Sequence, residues 1–388
     1  MKFIDDAIKE SEERMEEKAP KKISSDIDND LIKLFKQNKT NIFVVGAGGA
    51  GNNTISRLNE IGIEGATTIT VNTDAQDLFY SQSSKKILLG KQTCGGLGAG
   101  GDPSVGEECA EETEDELRDE LEGADMVFVT CGLGGGTGTG AAPVIAEISQ
   151  DLGALTVGIV TKPFSFEGKK RMNQAVSGLD ELKKHVDTLI VIPNDRLREL
   201  IDKSTPMLEA FREVDNVLHR GVQSISDLIA VSGLVNLDFA DVKAIMKDRG
   251  NALIGIGVGS GENRATDAAK QAVSSPLLET SINGATDAII NVTGGASLTL
   301  FEVEEAAEVI RTAANTDINT IFGAVINENL NDEVIVTVIA TGFENQSEPL
   351  YHSFNSTRRE DIFREGTSDI DIDNDLDIPP FLRDRDNY

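Results

Sequence analysis

Short apolar runs alternate with stretches of helical periodicity along most of the chain. The first six runs predict β-strands at Asn41–Val45, Thr67–Asn72, Lys86–Leu89, Met126–Cys131, Thr156–Thr161 and Thr188–Pro193. The segments between them carry apolar residues at the three- and four-residue spacings of amphipathic helices. Strands that alternate with helices predict a parallel, Rossmann-like sheet with right-handed crossovers.

A longer periodic stretch follows the sixth run. Its apolar positions predict one helix from Thr205 to about Val231, which begins after Pro206 and ends near Gly233. Beyond it, a second set of elements comprises predicted strands at Leu253–Val258, Ala288–Thr293, Ile321–Ile326 and Val334–Ala340, with helices at Thr266–Ser274 and Val303–Ala314. We therefore expect an α/β protein of two domains, the second smaller and with a mixed sheet, joined by a long central helix.

The two ends of the chain lack this periodicity. We expect a mobile arm over residues 1–38 and a disordered linker over 344–374, on either side of a body divided into 39–204, the central helix 205–233, and 234–343. In the last segment, 375–388, the stretch Ile378–Arg383 combines three large apolar side chains with two prolines. This stretch is either a docking peptide or a chance group of apolar residues.

Composition excludes several classes of protein. The 388 residues include 66 acidic and 36 basic side chains, giving a net charge of −30, which disfavours nucleic-acid binding. No apolar run approaches membrane-spanning length, and residues 1–20 do not resemble a secretory signal. Three cysteines are too few for a disulfide framework, and three dispersed histidines predict no metal site. We expect a soluble intracellular protein.

Much of the negative charge falls in residues 101–125, which contain 12 acidic side chains and one basic one, Arg118. The pattern predicts a single helix there, with a stripe formed by Val105, Cys109, Thr113, Leu117 and Leu121. The carboxylate face is either a solvated surface or a site for a metal or a partner.

Three glycine-rich segments follow predicted strands. Gly46, Gly48 and Gly51 have the spacing of a dinucleotide-binding loop, and Asp74 could bind a ribose, so an NAD-dependent enzyme is one alternative. The second segment, Gly132–Gly140, has six glycines in nine residues and precedes a helix predicted from Ala141. A third is Gly95–Gly101. Several such loops suit a triphosphate better than one pyrophosphate, and the P-loop motif is absent from the sequence.

These segments resemble the tubulin/FtsZ family of GTPases, of the archaeal type. Gly134–Gly140 reads GGGTGTG, and further similar stretches are VNTDAQ at 71–76, TKPFSFEGKKR at 161–171, NLDFAD at 236–241 and DLDIPPFLR at 375–383. The resemblance covers residues 39–343 and the terminal peptide. Ala50 departs from it, because the first loop in this family often has another glycine there.

The resemblance implies a GTP/GDP site whose residues share one pocket. Those implied to bind the nucleotide are Gly48, Gly49, Ala50, Gly51, Asn52, Asn53, Gly135, Gly136, Thr137, Gly138, Thr139, Thr161, Glu167, Arg171, Asn194, Phe211 and Asp215. The two glycine loops would hold the phosphates, and Glu167 and Arg171 the ribose region. Phe211 would stack on guanine and Asp215 would accept its N–H donors. On pattern alone, a core role for Phe211 is favoured over stacking, and the resemblance reverses this preference.

The resemblance also implies hydrolysis at a subunit interface. Asp238 and Asp241, assisted by Asn236, would activate water for the GTP of a neighbouring subunit, with Mg²⁺ held through the phosphates. Without the resemblance, these acids would be a helix cap and a surface charge.

The implied function is a head-to-tail polymer that forms the cytoplasmic division ring at mid-cell. Asp375–Arg383 would bind membrane-anchoring and regulatory division proteins, without insertion of this chain into the membrane. A filament protein for cell shape is the remaining alternative within the superfamily.

Overall fold

The first apolar run forms β1, Ile42–Ala47, and its successive side chains face opposite sides of a sheet. Val44 packs into the hydrophobic core on one face and Val45 into the core on the other. The structure is a computed structural model that describes residues 40–63, 65–197, 204–230, 238–275, 282–314, 318–327, 330 and 332–343.

All ten predicted strands are confirmed, with ends that differ by a few residues. After β1 they are β2 Ala66–Asn72, β3 Lys85–Leu88, β4 Met126–Gly132, β5 Leu155–Lys162, β6 Thr188–Pro193, β7 Gly250–Ser260, β8 Asp287–Gly294, β9 Asn319–Ile326 and β10 Glu333–Thr341.

The helices fill the intervals between strands. They are α1 Gly48–Ile61, α2 Ala75–Tyr80, α3 Pro103–Glu112, α4 Glu114–Leu121, α5 Thr137–Asp151, α6 Lys169–Leu182, α7 Asn194–Leu197, α8 Met207–Ala230, α9 Phe239–Met246, α10 Arg264–Val273 and α11 Leu300–Ala314. The predicted central helix is confirmed as α8 over its described residues, and a short 3-10 turn, Ser165–Glu167, precedes α6.

The strands form one sheet in the order β3-β2-β1-β4-β5-β6-β7-β10-β8-β9. β1 to β6 are parallel, as predicted from the alternation of strands and helices. β10 pairs antiparallel with both β7 and β8, so the second half of the sheet is mixed. The described residues therefore have the expected fold, an α/β architecture with mostly parallel strands.

The single helix predicted over the acidic segment is wrong. α3 and α4 meet at Thr113, whose hydroxyl donates to Cys109 O (2.9 Å) and accepts from Gly90 N (3.0 Å). These side-chain bonds compete with helix continuation. The predicted apolar stripe is nevertheless buried at Cys109, Thr113, Leu117 and Leu121.

Two helices begin earlier than predicted, within the glycine segments themselves. α1 begins at Gly48 instead of near Thr54, and α5 at Thr137 instead of Ala141. A Cβ at Gly140 would lie 2.0 Å from Pro103 O. Some of these glycines therefore permit close packing of a helix, whereas the sequence pattern assigns them to loops.

The predicted arm, linker and terminal peptide lie outside the described residues. Within the described part, no helix combines the length and apolar character needed to cross a bilayer. Cys94, Cys109 and Cys131 are free thiols, and burial raises the pKa of Cys131 to about 12.

Candidate functional site

Two glycine-rich segments follow neighbouring strands of the sheet. α1 begins directly after β1, and α5 begins five residues after the last residue of β4. β1 and β4 are parallel, with Ala47 beside Cys131. Both helices therefore begin at the carboxyl edge of the sheet, the edge at which parallel α/β proteins bind ligands.

The two segments touch each other through glycines. Gly48 has φ +70°, and a Cβ there would lie 2.8 Å from Gly138 N. A Cβ at Gly138 would lie 2.9 Å from Ala47 O. Larger residues at either position would push the two helix starts apart.

Neither α1 nor α5 has a side-chain hydrogen bond at its N-cap. The first N–H groups of the two helices therefore point towards the same region, at the carboxyl edge of the sheet. The positive ends of both helix dipoles lie there too, which suits an anion with several oxygens. In the first segment the exposed predicted residues are Gly49, Ala50 and Asn53, and the buried ones are Gly48, Gly51 and Asn52.

In the second segment, hydroxyl groups hold the loop in shape. Thr139 is buried, and its Oγ1 accepts a hydrogen bond from Gly134 N (2.9 Å). The hydroxyls of Thr137 and Thr73 are 2.6 Å apart. Gly135 and Thr137 are half-buried, whereas Gly136 and Gly138 are buried.

Thr73 joins the second segment to the third, a role that its place in the sequence does not predict. Gly98 N donates to Thr73 O (3.1 Å), and Ala99 Cβ lies 3.0 Å from a Cβ built on Gly136. All three glycine segments are therefore neighbours, as expected for loops at the carboxyl ends of adjacent strands.

Asp77 is a second residue that the sequence analysis missed. Its Oδ2 accepts hydrogen bonds from Asn52 Nδ2 (3.1 Å) and Asn72 Nδ2 (2.6 Å). Asn52 Oδ1 is buried and has no hydrogen-bond partner within the described structure. Asp77 thus orients Asn52, and no sequence motif relates these two positions, which are 25 residues apart.

Thr161, Glu167 and Arg171 lie beside the second segment. Thr161 is buried near the end of β5, and its carbonyl accepts from Leu133 N (2.9 Å). Glu167 accepts from Phe164 N (2.8 Å) and pairs with Arg171 Nη1 (3.0 Å). A Cβ on Gly134 would lie 2.6 Å from Arg171 O, so the glycine allows Arg171 to approach the loop.

An aromatic and amide surface lies further along the same edge. Phe211, near the start of α8, is 37% exposed and meets Phe164 edge-on, with ring centroids 5.6 Å apart. Its exposure disfavours the alternative that it is a core residue. Asn194 follows β6 directly, and its Oδ1 is buried without a hydrogen-bond partner among the described residues.

Asp215 lies one helical turn after Phe211 and is half-buried. Burial raises its pKa to about 6, although a hydrogen bond from Thr54 and the charge of Arg57 oppose this shift. Thr54 Oγ1 is 3.2 Å from Asp215 Oδ1. The carboxylate retains acceptor capacity for a ligand with adjacent N–H donors.

Asp238 and Asp241 lie at the opposite edge of the sheet. Both are exposed, Asp238 at the N-cap of α9 without a side-chain cap bond, and Asp241 in the first turn. The last residue of α9, Met246, accepts a hydrogen bond through its carbonyl from Thr188, at the amino end of β6. Asn236 lies outside the described residues. The structure therefore does not bring these acids to the glycine segments.

The site as a whole can hold a polyphosphate with an attached base. Asp74, the candidate ribose ligand of an NAD-dependent enzyme, instead caps α2 by accepting hydrogen bonds from Gln76 N (2.9 Å) and Asp77 N (3.1 Å). This role as a helix cap disfavours the NAD alternative.

Two protein-family models match parts of this chain. A model described as the GTPase domain of the tubulin/FtsZ family matches residues 41–202, and one described as the FtsZ-family C-terminal domain matches residues 250–344.

Two solved structures of FtsZ from M. jannaschii are each 50% identical to this chain. One, described as an empty dimer, covers 82% of this chain and 93% of its own, with a TM-score of 0.78. The other, a mutant, covers 82% and 96%, with a TM-score of 0.77. A GTPγS-bound CetZ2 protofilament from Haloferax volcanii is 22% identical, covers 79% and 94%, and has a TM-score of 0.66. The CetZ2 match shows a shared fold alone.

Proposed function

The chain belongs to the tubulin/FtsZ family of GTPases, and from this premise we propose that it is a polymerising GTPase of cell division that hydrolyses GTP between stacked subunits. Membership of this family implies GTP and GDP binding and GTP hydrolysis. The arrangement of subunits, the catalytic residues and the cellular role form the proposal.

The separation of two groups of residues is the observation that carries the proposal. The glycine segments, Phe211 and Asp215 lie at the carboxyl edge of the parallel strands, whereas α9 contacts the amino end of β6. α8 alone has 24 residues and is about 36 Å long. Asp238 and Asp241 therefore cannot reach a nucleotide bound in their own subunit.

Head-to-tail stacking brings the two edges together. The amino-edge acids of one copy would then meet the nucleotide of the next, where they would orient and polarise the attacking water with help from Asn236. An interface between two different faces that does not close into a ring produces a filament. The FtsZ relative from M. jannaschii that was solved as a dimer agrees with self-association.

The guanine base would lie on Phe211, with Asp215 accepting hydrogen bonds from its N1–H and amino group. Gly49 to Asn53 would contact the α- and β-phosphates, and Gly136 to Gly138 the β- and γ-phosphates. Glu167 and Arg171 would hold the ribose region, and Asn194 the sugar and base.

Mg²⁺ would be bound chiefly through phosphate oxygens and water. The side chains around the second segment fit this role, because they offer the hydroxyls of Thr73 and Thr137 in place of a carboxylate cage. Within the described residues no group of three or more His, Cys, Asp or Glu side chains could hold a metal. When bound, the ion would offset the negative charge of the phosphates.

In the cell we propose a cytoplasmic filament at the division ring, tethered through Asp375–Arg383 to membrane-anchoring and regulatory proteins. Two observations support this role over a filament for cell shape: the FtsZ-family C-terminal model matches residues 250–344, and the chain is 50% identical to FtsZ from M. jannaschii. Deletion of Ile378–Tyr388 should leave GTPase activity and filaments intact and abolish ring attachment.

A complementation assay tests hydrolysis between subunits. Asp241→Asn should bind GTP and sediment as polymer but hydrolyse GTP slowly. Asp215→Ala should bind GTP poorly, but its Asp238 and Asp241 are intact. When mixed, the two variants should hydrolyse GTP faster than the sum of each alone, since the nucleotide of one meets Asp241 of the other. The control is Asp248→Asn, which changes an exposed acid just beyond α9 and should keep wild-type turnover.

Normal hydrolysis by Asp241→Asn would contradict the proposal. So would a mixture that co-sediments without recovering activity.

A further inference from the structure

The helix that carries the proposed catalytic acids is exposed at one end and held at the other. α9 has eight residues, with Asp238 and Asp241 exposed at its start and Ile245 and Met246 buried at its end. A helix this short has little stability of its own. Phe239 and Val242 also pack one face of α9 against the core, and the bonds at its C-terminal end then fix its direction.

The last carbonyl groups of a helix lack intrahelical donors, and here three side chains from outside α9 supply them. Thr341 Oγ1 donates to Ile245 O (3.2 Å), and Thr188 Oγ1 donates to Met246 O. Arg249 Nη2 donates to Ala244 O (3.4 Å). Three successive carbonyls are thus bound by three separate parts of the chain.

These donors come from both halves of the sheet. Thr188 is the first residue of β6, and Thr341 is the last residue of β10; both side chains are completely buried. α9 is therefore bonded at the same end to the nucleotide-binding half and to the C-terminal half.

Arg249 strengthens this connection. Asp248 has φ +55°, a left-handed conformation that turns the chain back after α9. Arg249 N then donates to Asp187 O (2.9 Å), and its Nη1 pairs with Asp287 Oδ2 (3.3 Å). Asp287 is itself fixed by Asn319 Nδ2 (3.1 Å).

We propose that Thr188, Arg249 and Thr341 are positioning residues for hydrolysis: by fixing the C-terminal end of α9, they aim Asp238 and Asp241 at the nucleotide of the neighbouring subunit. This inference rests on the proposed hydrolysis between subunits. In this proposal the three residues act through α9 and not on the nucleotide itself. Their effect is on turnover, because displacement of a reacting group by about 1 Å can reduce a rate by about 100-fold.

The test compares Thr188→Val and Thr341→Val, singly and combined, with Thr337→Val in the full-length protein. Thr337 is a buried residue of the same strand as Thr341, but its hydroxyl bonds to Ser224 of α8 (3.1 Å) instead of α9. We expect turnover per sedimented subunit to fall about tenfold in the combined variant. GTP affinity and critical concentration should stay within about twofold of wild type, and Thr337→Val should hydrolyse normally.

Thr341→Ser keeps the hydroxyl and should restore turnover, which separates hydrogen bonding from packing. If the valine variants do not fold, Arg249→Met provides the test at a partly exposed position, with an expected loss of turnover at unchanged GTP affinity. Provided that Asp241→Asn is slow, wild-type turnover in the folded combined variant would overturn the inference. Where the combined variant does not fold, wild-type turnover in Arg249→Met would overturn it. Wild-type turnover in Asp241→Asn would overturn the proposed function itself.

Discussion

Thr54 Oγ1 and Asp215 Oδ1 are 3.2 Å apart, although the two residues are separated by 161 positions in the sequence. Thr54 belongs to α1, whose N-terminus faces the proposed phosphate site, and Asp215 belongs to α8, beside the proposed base site. The bond therefore links the two parts of the proposed nucleotide pocket, and it favours the ionised form of a half-buried carboxylate.

GTP affinity should depend on the ionisation of Asp215. Burial raises its pKa to about 6 in the free protein, and guanine binding requires the ionised form to accept two hydrogen bonds. Affinity should thus be constant above about pH 7 and fall by about tenfold per unit well below pH 6. Isothermal titration with GDP between pH 5 and 8 measures this.

The matched control is Asp215→Asn, which retains the shape of the side chain and cannot titrate. Ionisation of the nucleotide phosphates affects binding to both proteins equally. The difference between their plots of affinity against pH therefore gives the contribution of Asp215. Identical pH profiles for the two proteins would remove Asp215 from base recognition.

Gly135 offers a test of the phosphate site that leaves the fold undisturbed. A Cβ built on Gly135 meets no atom within 4 Å, so Gly135→Ala should melt within about 1 °C of wild type. Phosphate oxygens bound by the backbone of this segment would nevertheless meet the new methyl group, and GTP affinity should fall by about tenfold.

Gly138→Ala is the contrasting variant. Its Cβ would lie 2.9 Å from Ala47 O and 3.2 Å from Cys131 Cβ, so both melting temperature and affinity should fall. Unchanged GTP binding in Gly135→Ala would show that the phosphates do not contact this part of the loop.

The strands were predictable because each is a short apolar run bounded by polar residues, and the positions of the glycine segments follow from strand order. The starts of α1 and α5 were not predictable, since glycine has poor helix propensity and its use there involves close approaches, such as those of Gly48 to Gly138 and of Gly140 to Pro103. The break at Thr113 depends on its bond with Gly90, which periodicity cannot reveal.

Within the candidate site, motifs predicted which residues bind the nucleotide but not which side chains hold those residues in place. Asn52 was predicted, whereas Asp77, which orients it, carries no signal in a single sequence. The bonds that link α9 to Thr188 and Thr341 join residues 58 and 96 positions apart. Such contacts depend on how distant elements pack together. The pattern of apolar residues determines this packing only as a whole, so it does not predict the individual contacts.

The C-terminal half should lose stability in acid through one ion pair. Arg264 Nε and Glu302 Oε1 are 2.6 Å apart and mostly buried, and the hydrogen bond from Arg264 is the main cause that lowers the pKa of Glu302 to about 2. A carboxyl group whose pKa is lowered by folding stabilises the folded state at pH values above its unfolded pKa of 4.5. This stabilisation is lost as the pH falls towards 2. We expect a loss of about 1–2 kcal/mol, reduced by partial solvation.

Urea unfolding of wild type and Glu302→Gln at pH 6, 4 and 2.5 measures this contribution. The difference in free energy of unfolding between the two proteins should shrink as the pH falls. Glu304→Gln, which changes an exposed residue of the same helix, should follow wild type throughout. A constant difference between wild type and Glu302→Gln would contradict the predicted role of the ion pair.

The net charge of −30 should make assembly depend strongly on salt. Stacking brings like-charged subunits together, and their repulsion is screened over about 8–10 Å at physiological ionic strength. We expect GTP-dependent sedimentation to increase with K⁺ or Mg²⁺, and to require more of either than a less acidic member of the family, with GDP and ATP as controls.

Asp115→Asn combined with Asp119→Asn neutralises two exposed charges of α4, which we expect on the filament flank. This double variant should need less salt for assembly, without a change in turnover per polymerised subunit. Assembly that is strongest in low-salt buffer would show that interfacial attraction outweighs the repulsion between subunits.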